Sequence, residues 1–294
     1  MSRYMEPVSN ISDAWLSVLT AMNAEPGGTA TNVMVTVEGS TAPDRGGVRD
    51  ALNETLRTRG QHEVGTVAST LFPAVFYGDP GFDWSPDLPQ HAVDELDSAA
   101  ASLYREYLEI LPDLRRIPAN RAGTYFSRMI SWPGKTGAGV NQLEERIRYF
   151  RSARRNGQLT NNASDIVIAG DAELPPLEDF AAGIQEYAAT DRRQRGFPCL
   201  VHIDLSAHDG VLALTAVYRH WHLITRAYGN MVGLARLQAF LAQQSGLRVG
   251  ELVVVAGYAN AERESYGGRA GVDALLSAAG PVDDESVAAS EGVA

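Results

Sequence analysis

Two apolar segments around the turn sequence AHDG constrain the fold of this chain more than any other feature. The segments occupy 199–206 and 211–219 and are rich in apolar residues. An Asp-Gly pair between such segments is one of the strongest local signals for a β-hairpin. A three-residue loop with Gly210 in the left-handed conformation would pair Ala207 with Val211. The sequence therefore predicts a hairpin in this register.

The only cysteine of the chain, Cys199, lies at the start of this hairpin, directly after Pro198. The register above places Arg219 opposite the thiol, whereas a shift by one residue would bring Tyr218 or His220 there. A neighbouring guanidinium favours the thiolate, which is the nucleophilic form of cysteine. Two interpretations follow: Cys199 is a catalytic nucleophile, or it is a small core residue in an apolar strand.

Three histidines in and after the hairpin raise the question of a zinc site. His220 and His222 alternate along one strand and would share a face. No register places His202 with them, so we expect that this protein binds no metal ion here.

Composition excludes several classes of function. The chain has 294 residues, 45% of them hydrophobic, which is enough for one enzyme-sized core. A formal charge of −11 predicts repulsion from nucleic acid and anionic membranes, although a local basic patch could still bind a small anion. One cysteine cannot form an internal disulfide, and no apolar stretch near 20 residues follows the polar start. We therefore expect a cytoplasmic protein without nucleic-acid or membrane partners.

Periodicity predicts the other elements. Helical spacing occurs at 11–23, with Ser12 or Asp13 as the cap, and at 46–60, 93–111, 141–157 and 229–246; strands are expected at 31–39, 164–171 and 251–257. The segment 77–91 is dense in Pro, Gly and Asp, which predicts a loop that could serve as a lid. Small and acidic residues at 278–294 predict a disordered tail.

The helix predicted at 141–157 carries an arginine cluster. Leu143, Ile147 and Phe150 would face inward. Five arginines would face mostly outward: Arg146, Arg148, Arg151, Arg154 and Arg155. This cluster is either a solvated helix face or an anion site, and such a site could be shared across a subunit interface.

A series of short motifs extends from 198 to 257 without a gap. In chain order these are Pro198-Cys199, Asp209-Gly210, Tyr218-Arg219, Asn230, Ala242-Gln243-Gln244, Gly250-Glu251-Leu252-Val253 and Gly257. The series resembles the catalytic region of thymidylate synthases. A weaker similarity lies upstream in TYFSRMISW, which contains Tyr125, and in Gln142-Leu143. The resemblance implies an α/β (α+β) thymidylate synthase-like domain over 1–277, with a large mixed sheet packed by helices, and a homodimer.

The resemblance also implies a chemistry. The thiolate of Cys199 would add to C6 of a pyrimidine, so that C5 could attack a one-carbon unit on 5,10-methylenetetrahydrofolate. Arg219 would lie near the thiol and a phosphate group. Asn230 would read the uracil edge, because an amide offers both a donor and an acceptor.

Several positions depart from the family pattern. His220 replaces a phosphate-binding serine, His222 replaces a folate-contacting aspartate, and Asn260 with Glu262 replaces a ribose-binding His-x-Tyr pair. Ser164 and Asp165 stand where an arginine pair is expected. The segment TVASTLFPAVFY shows no counterpart of the general-base glutamate, and the C-terminal segment that closes over folate has no counterpart either.

Two main functional hypotheses follow. The first is a divergent C5 one-carbon transferase acting on a pyrimidine nucleotide or nucleoside, with Cys199 and Arg219 as catalytic residues. Its substrate-binding residues would be Asn230, His220, His222, Tyr125 and Asn260. Without a closing segment, water would reach the intermediate and favour a hydroxymethyl over a methyl product. The second is a catalytically silent homologue that binds a nucleotide or a protein partner; a different covalent chemistry is a third option.

Overall fold

The structure is a computed structural model that describes residues 2–82, 88–121, 123–132, 139–156, 166–167 and 199–281. The chain forms two compact units. The first unit combines 1–69, 215–236 and 250–294, and the second combines 70–214 and 237–249.

The described ranges contain eight α-helices and seven β-strands. The helices are α1 (Ile11–Ala24), α2 (Gly46–Thr58), α3 (Val64–Ser69), α4 (Gln90–Leu114), α5 (Tyr125–Ile130), α6 (Gln142–Asn156), α7 (Tyr228–Ser245) and α8 (Gly268–Ala279). The strands are β1 (Arg3–Tyr4), β2 (Thr29–Val37), β3 (Ile166–Val167), β4 (Leu200–His208), β5 (Val211–Tyr218), β6 (Trp221–His222) and β7 (Arg248–Asn260). None of the described helices is both long and apolar enough to cross a bilayer.

The strands form one open mixed sheet with the order β1-β2-β7-β5-β4-β3, and β6 also pairs with β7. β2 and β7 are antiparallel, as are β3 and β4, whereas β1 runs parallel to β2 and β6 parallel to β7. Helices pack against this sheet; α1, for example, packs on β2. The predicted α/β class with a mixed sheet is therefore confirmed at this level.

The first unit is built around α1. Trp15 is fully buried, and its indole Nε1 donates to the carbonyl of Leu223 at 2.7 Å. The helix is capped by Asn10, whose side-chain oxygen accepts from the backbone N–H of Asp13 at 2.9 Å. The expected caps were therefore wrong by two or three positions, because Ser12 lies inside the helix and bonds the hydroxyl of Tyr228 at 2.8 Å.

A glycine brings α7 close to α3 within the first unit. A Cβ on Gly229 would lie 2.6 Å from Cβ of Val67 and 2.9 Å from the carbonyl oxygen of Val64. Both distances are below van der Waals contact, so a residue with a side chain does not fit here without displacing backbone. The first turn of α7 is thereby held against α3.

An aromatic cluster forms the core of the second unit. Phe240 of α7 has its ring 5.2 Å from that of Phe72 and 5.0 Å from that of Tyr77. The next turn of α7 adds hydrogen bonds: Tyr77 donates its hydroxyl to Gln243 at 2.7 Å, and Gln244 donates to the carbonyl of Leu96 at 2.8 Å. The Gln-Gln pair of the sequence motif thus attaches the start of the 77–82 segment and α4 to α7.

The hairpin has a shorter loop than the sequence analysis expected. β4 ends at His208 and β5 begins at Val211, and both Asp209 (φ 49°) and Gly210 (φ 76°) are left-handed. Two left-handed residues define a two-residue type I′ turn, in which the flanking residues pair. The predicted pairing of Ala207 with Val211 was therefore wrong.

Burial agrees with this register. Pairing His208 with Val211 places the buried pairs Ala207 with Leu212 and Leu205 with Leu214 on one face. A shift of one residue would pair buried with partly exposed positions, because successive side chains alternate between faces. The expectation that Arg219 lies opposite Cys199 depended on the discarded register and loses its basis.

Most predicted elements are confirmed, with changed ends. α7 spans the predicted 229–246 helix and ends before Gly246, which is left-handed at φ 65°. Residues 77–82 and 88–89 form neither helix nor strand, as expected. α8 continues to Ala279, past the start of the predicted tail, and the tail residues 282–294 lie outside the described residues, as do 164–165 and 168–171 of the predicted strand.

Candidate functional site

The predicted site residues fall into two groups. Cys199 and Tyr125 belong to the second unit. The others belong to the first unit: Arg219, His220, His222, Asn230 and Asn260.

Tyr125 contacts the chain at the candidate nucleophile. Its hydroxyl oxygen accepts hydrogen bonds from the backbone N–H of Cys199 at 3.1 Å and of Leu200 at 3.4 Å. Cys199 itself is half-buried. Because the phenol oxygen binds two consecutive N–H groups, it orients the backbone that carries the thiol. The structure thus brings together two residues that lie 74 positions apart in the sequence.

Hydrogen bonds at the start of α5 hold Tyr125 in place. Tyr125 opens α5, whose cap Thr124 exchanges side-chain hydrogen bonds with Ser127 in a capping box. Thr124 Oγ1 is also 2.5 Å from the hydroxyl of Tyr107 on α4. Burial raises the pKa of Tyr107 to about 12, so this phenol stays neutral. The capping contacts therefore hold the first residue of α5 in place.

Two histidines of the first unit form a stacked pair. The rings of His220 and His222 have centroids 4.1 Å apart and an interplanar angle of 21°. The edge of Tyr258 on β7 meets the His220 ring with centroids 4.9 Å apart. Burial, and then the charge of His222, lower the pKa of His220 below 6.5, with Glu262 opposing the shift. His220 is therefore a neutral imidazole at pH 7, which can donate one hydrogen bond and accept another.

Glu262 organises the turn that follows the histidines. Its Oε2 accepts from the backbone N–H groups of Ile224 and Thr225, and its Oε1 from the Thr225 hydroxyl, all at 2.8 Å. Oε1 also lies 3.6 Å from Nδ1 of His222. The residue is left-handed (φ 55°), a conformation in which its N–H donates to Asn260 Oδ1 at 2.7 Å. The carboxylate thus satisfies the first N–H groups of the π-helical turn Leu223–Ala227.

Asn260 has a structural hydrogen bond of its own. It ends β7 opposite His222 of β6, and its side-chain oxygen accepts the N–H of Glu262. This leaves the amide NH₂ as the group with which Asn260 could meet a ligand. Its role as a substrate-binding residue stays a prediction.

Asn230 is a buried amide in the first turn of α7. It is only 4% exposed, yet its side chain makes no hydrogen bond with any residue in the described ranges. Its amide atoms are not among the fully buried polar atoms that lack a partner, so solvent reaches them and a ligand could bind there. The close approach of Gly229 to α3 fixes the turn that carries it. Asn230 therefore offers a donor and an acceptor on rigid backbone.

Arg219 follows β5 directly. Its carbonyl oxygen would be 3.3 Å from a Cβ at position 257, so Gly257 of the sequence motif permits close packing of backbone against backbone. This explains the glycine without a ligand. The catalytic role of Arg219 stays a prediction.

The metal ligands and the arginine cluster are the remaining features that the sequence raised. No group of three or more His, Cys, Asp or Glu side chains in the described part of the chain is placed to hold a metal ion. Arg146 is buried at 2% exposure, so the outward orientation expected for it was wrong. Arg148 pairs with Glu144, and Arg151 pairs with Asp97 at 2.8 Å. The side chains of 154–155 lie outside the described residues.

The fold defines a mixed α/β protein with an open sheet, and comparison with known proteins adds a distant likeness. Over 116 residues the chain is 28% identical to a protein of Methanothermobacter thermautotrophicus named "Putative thymidylate synthase". The matched stretch covers 40% of this chain and 42% of that protein, less than half of either. No family model matches the chain. These findings support a thymidylate synthase-like relationship at most.

Two contacts of the site have no local signal in the sequence. Glu262 was identified only as a departure from the family pattern, because its hydrogen bonds to 224–225 connect residues 37 and 38 positions apart. The contact of Tyr125 with Cys199 had no local signal either. The left-handed conformation of Glu262, two residues after Asn260, is typical of a turn, but it does not indicate which residues the Glu262 carboxylate binds.

Proposed function

We propose that this protein is a divergent thymidylate synthase-like transferase that adds a one-carbon unit to C5 of a pyrimidine nucleotide or nucleoside. The product would carry a methyl or hydroxymethyl group. The observation that best supports this proposal is the side-chain amide of Asn230, which makes no hydrogen bond with the described residues and stays within reach of solvent although the residue is only 4% exposed. O4 and N3–H of uracil would supply the missing acceptor and donor.

The proposed chemistry begins at Cys199. The thiolate adds to C6 of the pyrimidine, and C5 gains the electron density that lets it attack an electrophilic carbon or exchange its hydrogen. Tyr125 contributes by holding the backbone N–H of Cys199, which limits the positions that the sulfur can adopt. Arg219 and His220 are proposed to bind a phosphate group, and Asn260 to donate to the sugar. We also propose a homodimer, as the resemblance implies.

Methylenetetrahydrofolate is the donor that the family likeness suggests. The folate-contacting carboxylate of the family corresponds to His222, whose ring is stacked on His220. The carboxylate beside it, Glu262, already accepts three hydrogen bonds from the turn at 224–225. These residues do not fit the family's folate contact, so we assign no residue of this chain to the one-carbon donor and derive only the activation of C5 that precedes the transfer.

Release of tritium from C5 tests the proposal. The protein is incubated with 5-tritiated uracil and cytosine compounds, each as base, nucleoside and monophosphate, with and without methylenetetrahydrofolate. We expect enzyme-dependent release with at least one uracil compound, because addition at C6 makes the C5 hydrogen exchangeable. Release only with folate would identify the donor. No release from any compound would contradict the transferase and favour the silent homologue.

The proposed phosphate contact of His220 predicts a pH dependence. Because the His220 pKa is lowered below 6.5, its charge and the stronger bond to phosphate develop only as the pH falls below that value. We expect monophosphate affinity of the wild type, divided by that of His220→Gln, to rise as the pH falls from 7.5 to 5.5. The rise should reach about tenfold when the imidazole is fully charged, since charge assistance adds about 1.5 kcal/mol. Calorimetry measures both affinities.

Comparison with His220→Gln removes two other causes of a change in affinity. Glutamine keeps a hydrogen-bond donor but cannot become charged, and the phosphate group of the ligand titrates in the same way in experiments with either protein. Glu262, His222 and Tyr258, which surround His220, are unchanged in both proteins. A constant ratio across this pH range, or an equal rise with the nucleoside, would contradict the phosphate contact.

A further inference from the structure

Glu262 carries a carboxylate to which the proposed reaction assigns no role. Its side chain is only 10% exposed, and its two oxygens accept three hydrogen bonds from Ile224 and Thr225. These donors compensate a largely desolvated charge, so the contact holds the turn firmly. The left-handed backbone of Glu262 is uncommon for a residue with a side chain and persists only where surrounding contacts require it.

The turn that Glu262 binds leads directly into the helix that carries Asn230. The π-helical turn Leu223–Ala227 is followed by α7 without a break, and Tyr228 at the junction is helical at φ −58° and ψ −51°. The first N–H groups of a helical segment have no partner within it, so a carboxylate that accepts them fixes where the segment begins. Asn230 lies about one and a half turns after Thr225 in the same segment.

Glu262 also contacts two other residues of the proposed substrate site. Its N–H donates to Oδ1 of Asn260 at 2.7 Å, which leaves the NH₂ group of that amide outside the bond. Asn260 lies opposite His222 across the β6–β7 pair, and Nδ1 of His222 lies 3.6 Å from Oε1 of Glu262. Glu262 therefore contacts Asn260 and His222 directly and is connected to Asn230 through the turn.

We infer that Glu262 is a positioning residue, which fixes the first turn of α7 and thereby the orientation of the Asn230 amide toward a pyrimidine. The inference rests on the proposed function, in which Asn230 is the group that reads the base. Other contacts hold the same segment at different points: Trp15 binds the carbonyl of Leu223, and Gly229 packs against α3. Neither of these contacts involves the N–H groups at 224–225, which are the ones that Glu262 binds.

Calorimetry with matched uracil and cytosine nucleosides tests the inference. Glu262→Ala should lower the ratio of uracil affinity to cytosine affinity at least about fivefold, which is what one misaligned hydrogen bond costs. Glu262→Gln should lower it less, because the amide oxygen can still accept the two N–H groups. Both nucleosides carry the same sugar, so any change in sugar contacts at Asn260 or His222 cancels in the ratio.

Matched controls separate positioning from a general loss of structure. Glu264→Gln removes the same charge from an exposed residue two positions further along, and it should leave the ratio unchanged. In the Asn230→Ala background, Glu262→Ala should cause no further change in the ratio, because the group that it positions is absent. A merely structural role would weaken both nucleosides alike, with or without the Asn230 amide.

Hydrogen exchange of the free protein tests the same coupling without a ligand. Glu262→Ala should accelerate exchange of the backbone N–H groups from 224 through 230, because the start of the segment loses its acceptor. Glu262→Gln should have a smaller effect in the same residues, and Glu264→Gln should have none. Thermal melts identify any variant that has lost its fold, and Glu262→Gln then replaces Glu262→Ala in the comparison.

Three results would overturn the inference. They are an unchanged affinity ratio in Glu262→Ala, an equal change of the ratio with and without the Asn230 amide, and unchanged exchange at residue 230. If the wild type binds no pyrimidine nucleoside, the proposed function fails, and the exchange measurement alone decides whether Glu262 positions the first turn of α7. Failure of the tritium assay has no bearing on either measurement, since neither requires chemistry at C5.

Discussion

Replacing the cysteine with serine, Cys199→Ser, should lower tritium release from C5 at least about a thousandfold, a barrier increase of about 4 kcal/mol. Serine has nearly the same shape, but its hydroxyl is far less nucleophilic than a thiolate without an activating base. The backbone N–H of residue 199 would still donate to Tyr125, so the local structure should persist. The tritium assay measures release, and a thermal melt checks the fold.

Two further measurements make this prediction specific. Cys199 is the only cysteine, so labelling with iodoacetamide reports on this thiol alone, and bound uracil compound should protect it. Tyr125→Phe should lower release by a smaller factor, because it leaves two N–H groups without their acceptor but keeps the sulfur. If Cys199→Ser retains release within tenfold of the wild type, covalent catalysis by this residue is wrong.

Exchanging the amide for a carboxylate, Asn230→Asp, should reverse the preference between pyrimidines. The wild type should bind uracil compounds more tightly than cytosine compounds, because the amide can donate to O4 and accept from N3–H. Aspartate accepts only, which suits the amino group of cytosine and opposes O4 of uracil. With roughly 1 to 3 kcal/mol for each mismatched hydrogen bond, the ratio of affinities should change by about tenfold or more in each direction.

The control for this change is Asn230→Ala. Alanine loses both hydrogen bonds, so it should weaken both classes of compound without reversing their order. Calorimetry with matched uracil and cytosine nucleosides gives the four affinities that are compared. Equal binding of the two nucleosides by the wild type, with no reversal in Asn230→Asp, would remove Asn230 from the site.

Local patterns in the sequence were sufficient for the larger elements. The apolar segments on either side of Asp209-Gly210 predicted the hairpin, and the apolar spacing before Gly246 predicted α7. Such signals succeed because burial on one face repeats with the period of the element itself. The predicted cap of α1 was wrong because capping depends on a single side-chain oxygen, that of Asn10. The predicted hairpin register was wrong because the loop has one residue fewer than expected.

The candidate site shows the same division. The sequence indicated Cys199, Asn230 and Tyr125 as candidates through short motifs, because the order of motifs along a chain can be recognised without knowledge of the fold. Only the tertiary structure revealed that Tyr125 binds the backbone of Cys199 and that Glu262 binds the turn at 224–225. These contacts join residues far apart in the chain, and hydrogen bonds of that kind leave no period in the sequence.

The buried charges and amides were decided by packing alone. Arg146 follows the spacing of an exposed helix face, yet it is buried, and Asn230 is only 4% exposed in a turn that Gly229 brings against α3. Sequence thus determined which elements form and which residues carry reactive groups; the tertiary structure decided which of those groups meet, because burial and charge depend on every element packed around them.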